Sequence, residues 1–169
     1  ISCDFEYQNS YVYTTKKSEL NSIKKEVDAV TSLGFQNCDF VTKAGLPFDI
    51  KGAVCFKNQA QFNALKYVLG LCEKITLKSG KIFTNTTVTD IKEENNSYIT
   101  FTENNIVKSK YVIIASHYPF INFPGFYFTK MYQSTSYVIA VDSKKTLFNG
   151  MYINSTPPIF SYRTAKLDG

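Results

Sequence analysis

Residues 45–75 read GLPFDIKGAVCFKNQAQFNALKYVLGLCEKI. This stretch decides the fold because it passes from turn residues, through an apolar run, to a helical period. Gly45-Leu46-Pro47 turns the chain. Ile50 to Phe56 carries a single charge, Lys51, and is predicted to be a strand, with Gly52 marking a bulge or a close approach by other backbone. Asn58 is a good helix N-cap and Gln61 sits at the capping-box position. Phe62, Leu65, Leu69, Cys72 and Ile75 then recur at helical spacing, which predicts an amphipathic helix over 59–77. Gly70 lowers its helicity unless close packing requires it. On its own the stretch is one strand and one core helix of a mixed α and β domain.

The chain around it has 169 residues, enough to bury a real core. Its 14 Phe and 12 Tyr, with no Trp, supply large side chains for a core or an aromatic-lined pocket. The net charge of +5 comes from lysines spread singly or in pairs, so a nucleic-acid surface is not expected. Cys3, Cys38, Cys55 and Cys72 have neither metal-ligand nor redox spacing, and one histidine, His117, excludes a His-rich metal site. No signal-peptide pattern and no membrane-length apolar run is present, so the expectation is a cytoplasmic protein with no membrane partner. The abrupt ends, ISCDFEYQ and SYRTAKLDG, lead to the expectation of a piece of a longer protein.

Upstream, Tyr11 to Thr14 is predicted as a strand. A helix over 18–33 presents Leu20, Ile23, Val27, Val30 and Leu33, with Gly34 as its C-cap. Asp39 to Lys43 is a second short strand. Downstream, Lys81 to Thr84 is a short strand, and 88–93, 97–102 and 106–109 form a β-meander separated by Asn95-Asn96 and Asn104-Asn105. Tyr111 to Ala115 is a continuous apolar run of the kind found in strands buried on both faces. Residues 137–141, 151–153 and 159–163 complete the strands. Two sheets are expected: one holds 111–115, the other gathers 11–14, 50–56 and the C-terminal strands.

Catalytic signals are sparse. There is no GxGxxG and no GxxxxGK[ST], so the usual pyrophosphate cradle is missing from the sequence. A catalytic triad could run only through His117, and Ser116 is its chain neighbour rather than a poised partner. Asp90 and Glu93-Glu94 read as a wet strand face rather than a glycosidase pair. Arg163 is the one arginine in the chain. It is either a bidentate carboxylate clamp or a surface residue. Tyr132, Tyr137, Tyr152 and Tyr162 either line an apolar pocket or fill the core.

The runs GAVCFKNQAQFNALKYVLGL (52–71), GKIFTNTTVTDI (80–91) and IVKSKYVIIASHYPF (106–120) together resemble flavin-dependent oxidoreductases of the glycine and D-amino-acid oxidase superfamily. PGFYFTKMYQSTSYVIAV (124–141) and NGMYINS (149–155) resemble a bacterial subgroup whose members often carry a C-terminal Rieske iron–sulfur domain. The resemblance implies an α+β fold: an antiparallel or mixed sheet with flanking helices from a substrate domain, plus a β-meander and a strand from an FAD-binding domain. Residues 1–79 and 121–169 would form the substrate-domain parts, and 80–120 the flavin-domain segment. Val88 would meet the adenine end of FAD. Ala115, Ser116 and His117 would close the strand that approaches the dinucleotide, Ser116 standing where many relatives have glycine. Tyr132, Tyr152, Tyr162 and Arg163 would face the substrate. The implied chain is an internal fragment of a flavoenzyme acting on an amine, an amino acid or a related small substrate. Inactive alone and binding no FAD of its own, it would depend on the missing flanking segments of its parent, which would hold the FAD. The alternative is a non-catalytic small-molecule-binding or interaction domain.

Overall fold

The computed structural model describes residues 1–143 and 148–165. Two compact units are defined, one of residues 1–78 with the chain from 141 onward, the other of residues 79–140. The segment expected at 121–169 includes 144–147 and 166–169, which lie outside the described residues.

The first unit is built on a five-stranded sheet. Its strands are β1 (Glu6–Thr14), β2 (Cys38–Val41), β3 (Gly52–Gln61), β7 (Met151–Asn154) and β8 (Ser161–Arg163). Their order is β2-β3-β1-β7-β8. All neighbours are antiparallel except β1 and β7, which pair in parallel with Tyr11 opposite Tyr152. The sheet therefore gathers the N-terminal, central and C-terminal strands as the sequence predicts.

Alternation gives the sheet two different faces. Helix α1 (Leu20–Ser32) covers one, packing Ile23 with Cys38 and Val54 and drawing in Val12, Val27 and Phe40. Gly34 follows the helix at φ +86°, the left-handed geometry expected of a C-cap glycine. Leu33 lies past the last helical residue and is exposed, so it is not part of the packed stripe. The other face buries Tyr13, Ala53 and Tyr152 beneath the 44–50 loop and Phe148. Gly52 sits where the chain is crowded: a Cβ there would meet the Phe40 ring at 2.7 Å and a Leu20 methyl at 2.9 Å. The close approach is made by side chains, not by backbone.

The expected helix start at 58–61 is corrected. Asn58 adopts φ +56° beside the β-bulge between Gln8 and Ser10, and β3 continues to Gln61 opposite Glu6. Pairing with β1 outcompetes the local capping pattern. Helix α2 (Ala64–Leu77) is capped by Asn63, whose Oδ1 accepts a hydrogen bond from Lys66 N at 3.1 Å. None of its residues is buried, and Leu65, Leu69 and Ile75 are exposed.

The second unit contains the antiparallel meander β4 (Val88–Glu94), β5 (Ser97–Thr102) and β6 (Ile106–Ser109). Asn95 and Asn96 turn β4 into β5 with φ of +50° and +58°, as a type I′ turn requires. Three expected strands do not form. Residues 81–84, 111–115 and 137–141 enter no ladder among the described residues, and Ile113 is 90% exposed. The correction for 111–115 has a simple cause. A strand is defined by its partner's N–H and C=O groups, and this apolar run has no strand beside it among the described residues.

Candidate functional site

The densest chemistry in the first unit lies on the sheet face away from α1. Cross-strand register aligns Cys55, Tyr11, Tyr152 and Tyr162 in one row across β3, β1, β7 and β8. Tyr11 stacks on Tyr152 with ring centroids 4.8 Å apart and planes 6° from parallel. Phe148 meets Tyr152 and Tyr162 edge-on at 5.3 and 6.2 Å, and Phe48 bridges Tyr13 and Tyr162 at 5.8 and 6.4 Å. Such pairs add to the burial of the rings themselves.

Tyr152 is 3% exposed, and its hydroxyl oxygen lies 2.6 Å from the Ala44 carbonyl and 2.7 Å from that of Asn149. The single phenolic proton ties the 44–50 loop and the turn before β7 to the sheet. Burial pushes the phenols of Tyr13 and Tyr152 up to about 12. Burial also raises Tyr11 and the Cys55 thiol on this face, as it does the Cys38 thiol on the opposite face beneath α1. At neutral pH these groups are neutral, so the face offers hydrogen-bond donors and apolar surface, not a base or a thiolate.

Tyr162 and Arg163 are successive residues of β8, so their side chains leave opposite faces of the sheet. Tyr162 joins the aromatic face. Arg163 instead lines a cleft of about 470 Å³ with Asp4, Phe5, Glu6, Gln61 and Phe62 among its walls. Asp4 is paired there with Lys66 Nζ at 2.8 Å, whereas Arg163 forms no ion pair among the described residues. Gln61 Nε2 donates to Glu6 Oε1 and to the Thr164 carbonyl, closing one side of the cleft.

Of the four residues expected on the substrate side, the structure brings Tyr152 and Tyr162 together, places Arg163 in the neighbouring cleft, and puts Tyr132 in the second unit at 91% exposure. The residues expected on the cofactor side all belong to the second unit. Val88 opens β4 opposite Thr102. Ala115, Ser116 and His117 are exposed. His117 takes φ +66° at the centre of a three-residue turn in which Tyr118 N donates to Ser116 O at 2.7 Å and Ser116 Oγ donates to Tyr118 O at 2.8 Å.

Sequence reasoning missed Phe48, Tyr11 and Tyr13 as members of the aromatic face, and Glu6 and Gln61 as cleft residues. The alternation in Tyr11-Val12-Tyr13 already puts two tyrosines on one face and was the available signal for that pair. Among the described residues no cluster of three His, Cys, Asp or Glu could hold a metal ion, and no helix is long and apolar enough to cross a membrane.

A mixed five-stranded sheet with flanking helices, an aromatic face and an arginine-bearing cleft defines an α+β domain. Residues 1–165 match the family of FAD dependent oxidoreductases (DAO), and the chain belongs to that family. It is also 33% identical, over all 169 residues, to a Bacillus subtilis (strain 168) protein provisionally named Rieske 2Fe-2S iron-sulfur protein YhfW, and covers 33% of that protein. The chain thus spans about a third of the length of this curated relative.

FAD needs N–H groups at a helix N-terminus, approached closely through glycine, to hold its pyrophosphate. Helix α1 starts behind Glu19, whose negative charge opposes a phosphate, and in α2 the Lys66 N–H is already taken by Asn63. No glycine precedes either start within the preceding turn. These helix starts do not fit the pyrophosphate.

Proposed function

We propose that this chain is an internal part of an FAD-dependent flavoenzyme that oxidises an amine, an amino acid or a related small substrate, in the bacterial subgroup joined to a C-terminal Rieske domain. The observation that carries the reading is the cleft of about 470 Å³ that holds the chain's one arginine, in a chain whose family match runs from residue 1 to 165. The name and greater length of the Bacillus relative support the longer, Rieske-associated parent.

In this reading 1–79 and 121–169 serve the substrate side and 80–120 the flavin side. Val88, Ala115, Ser116 and His117 meet the cofactor; Tyr132, Tyr152, Tyr162 and Arg163 serve the substrate. FAD held by the parent would supply the electron acceptor for oxidation beside the amine. This chain's residues bind and orient. The Arg163 guanidinium holds an anionic group of the substrate, bidentate where the group is a carboxylate. Tyr162 lies on the opposite sheet face, outside the Arg163 cleft, where it offers a second apolar surface with a hydroxyl handle, and Tyr152 keeps that face rigid through its two carbonyl contacts. The partners are the small substrate and the flanking segments of the parent, with no nucleic acid and no membrane, in the cytoplasm.

The chain alone neither holds FAD nor turns over. Gel filtration tests this directly. The natural full-length protein is expected to elute with a flavin absorbance band that an anaerobic panel of amines and amino acids bleaches, and this chain produced alone is expected to elute without one. A flavin band retained by the chain alone overturns the claim that it lacks the cofactor's cradle. A full-length flavin that no amine or amino acid reduces overturns the substrate class.

A second reading, a non-catalytic small-molecule-binding or interaction domain, is favoured by one observation. The cleft is complete within the first unit. It predicts a small-molecule complex that forms without flavin.

A further inference from the structure

We propose that Gln61 is a positioning residue for Arg163, holding the arginine-bearing end of β8 at the cleft through the backbone of Thr164. The proposal rests on the substrate-side role of Arg163 given above.

Strand β8 is weakly held. It has three residues, all exposed, lies at the edge of the sheet and pairs with β7 alone among the described strands. Arg163 is its last paired residue, opposite Met151. From there the chain leaves the ladder, and a long arginine side chain on a loose strand end sweeps a wide volume.

Gln61 supplies what the ladder lacks. It ends β3 opposite Glu6, the first residue of β1. Its Nε2 donates to Glu6 Oε1 at 2.5 Å and to the Thr164 carbonyl at 2.9 Å. One amide therefore ties two central strands to the residue that follows Arg163, across a separation of 103 residues. The other amide atom makes the point sharper. Gln61 Oε1 is buried and has no hydrogen-bond partner among the described residues. A buried acceptor left unpaired is a liability that an apolar side chain at this position would not carry. Both donors of the amide are used and its acceptor is not, so the position needs a double donor. A glutamate of equal length would meet Glu6 and a carbonyl with no proton to give either.

A purely structural role, joining β1 to β3 through Glu6, makes a different prediction from a positioning role acting on Arg163. The test uses the natural full-length protein and acetate, the simplest carboxylate, with affinity read by ligand-observed NMR and folding by melting temperature. Arg163→Lys is expected to weaken acetate about tenfold, because a point charge replaces the planar fork. Gln61→Ala is expected to weaken it by a similar factor. The double variant should be little weaker than either single one, since both remove the same placed guanidinium. Should the alanine variant fail to fold, Gln61→Met keeps the side-chain length and apolar contact and is expected to show the same loss.

The exchange Glu6→Gln with Gln61→Glu separates the roles. It rebuilds the bond between β1 and β3 but leaves the Thr164 carbonyl without a donor. It is expected to restore the melting temperature and not the acetate affinity. Recovery of affinity in the exchange variant, an unchanged affinity in the Gln61 variants, or additive losses in the double variant would each overturn the proposal. An Arg163→Lys variant that binds acetate as the wild type does removes the substrate-side role of Arg163 itself, and the positioning proposal with it.

Discussion

Helices α1 and α2 are alike in length and amphipathic period and opposites in the fold. They have 13 and 14 residues, both show an apolar stripe at helical spacing, and both belong to the first unit. Ile23 of α1 is 3% exposed against β2 and β3, whereas Leu69 of α2 is 55% exposed. An amphipathic period states that a face gains by being covered; it does not state what covers it. For α1 the cover is a sheet whose strands come from residues 6–14, 38–41 and 52–61. For α2 no described residue buries the stripe, and the chain spans about a third of its curated relative.

The comparison breaks most visibly by truncating the two stripes. Ile23→Ala is expected to destabilise the first unit by about 2–5 kcal/mol, the range for emptying a packed site. Leu69→Ala in the same chain is expected to change the unfolding free energy by less than about 1 kcal/mol, because most of the side chain is already in water. Urea titration of the two variants measures both. Equal losses would mean that α2 is as well covered as α1. The helix-covered face also tolerates little added volume. Gly52→Ala would press a methyl against Phe40 and Leu20, and about 1–3 kcal/mol of destabilisation is expected.

The sheet's aromatic face sharpens the contrast, because its cover is a loop and not a helix. Tyr152 holds that loop through its hydroxyl, so Tyr152→Phe is expected to lose about 1 kcal/mol at neutral pH. The alkaline limb carries the sign. Burial holds the phenols of Tyr13 and Tyr152 at about 12 in the folded state, against an ordinary 10. The folded state therefore keeps protons that the unfolded state gives up. The resulting stability is complete below pH 10 and is lost as pH rises through 12. Unfolding free energies measured along this limb should fall less steeply for Tyr152→Phe than for the wild type. Parallel limbs would mean that the Tyr152 phenol is not protected in the folded state.

What could be read in the sequence follows from how local the deciding contacts are. The meander was legible because its turns are local: Asn95 and Asn96 take the positive φ that an Asn-Asn pair tolerates, and β5 and β6 occupy 97–102 and 106–109 as expected. The α1 stripe was legible for the same reason. Asn58 misled because its capping pattern is also local, whereas the contact that wins, Gln61 opposite Glu6, joins residues 55 apart in the chain. Tyr111 to Ala115 misled because apolarity predicts burial without naming a partner. In the candidate site, the divergence of Tyr162 and Arg163 was legible from strand alternation alone. The amide of Gln61 was not, because its value lies in a bond to Thr164 that only the assembled sheet creates.

The smallest expected effect bears most directly on α2. Gly70→Ala adds a good helix former to the middle of the helix, a gain of about 1 kcal/mol where nothing interferes. Here a Cβ would lie 2.5 Å from a methyl of Ile1, the first residue of the chain and itself half exposed. The obstacle is the γ-methyl of a β-branched side chain, stiff at χ1, so Ile1 must shift with its half-exposed terminal backbone for part of that gain. The helix has no packed face to transmit strain into the sheet. A net stabilisation below about 1 kcal/mol is expected, together with a rise in helical circular dichroism. A loss instead would show that Ile1 and α2 form a packed contact, and that the glycine is kept for close approach. The difference between the two helices would then be one of degree, with α2 owning a small cover of its own from Ile1.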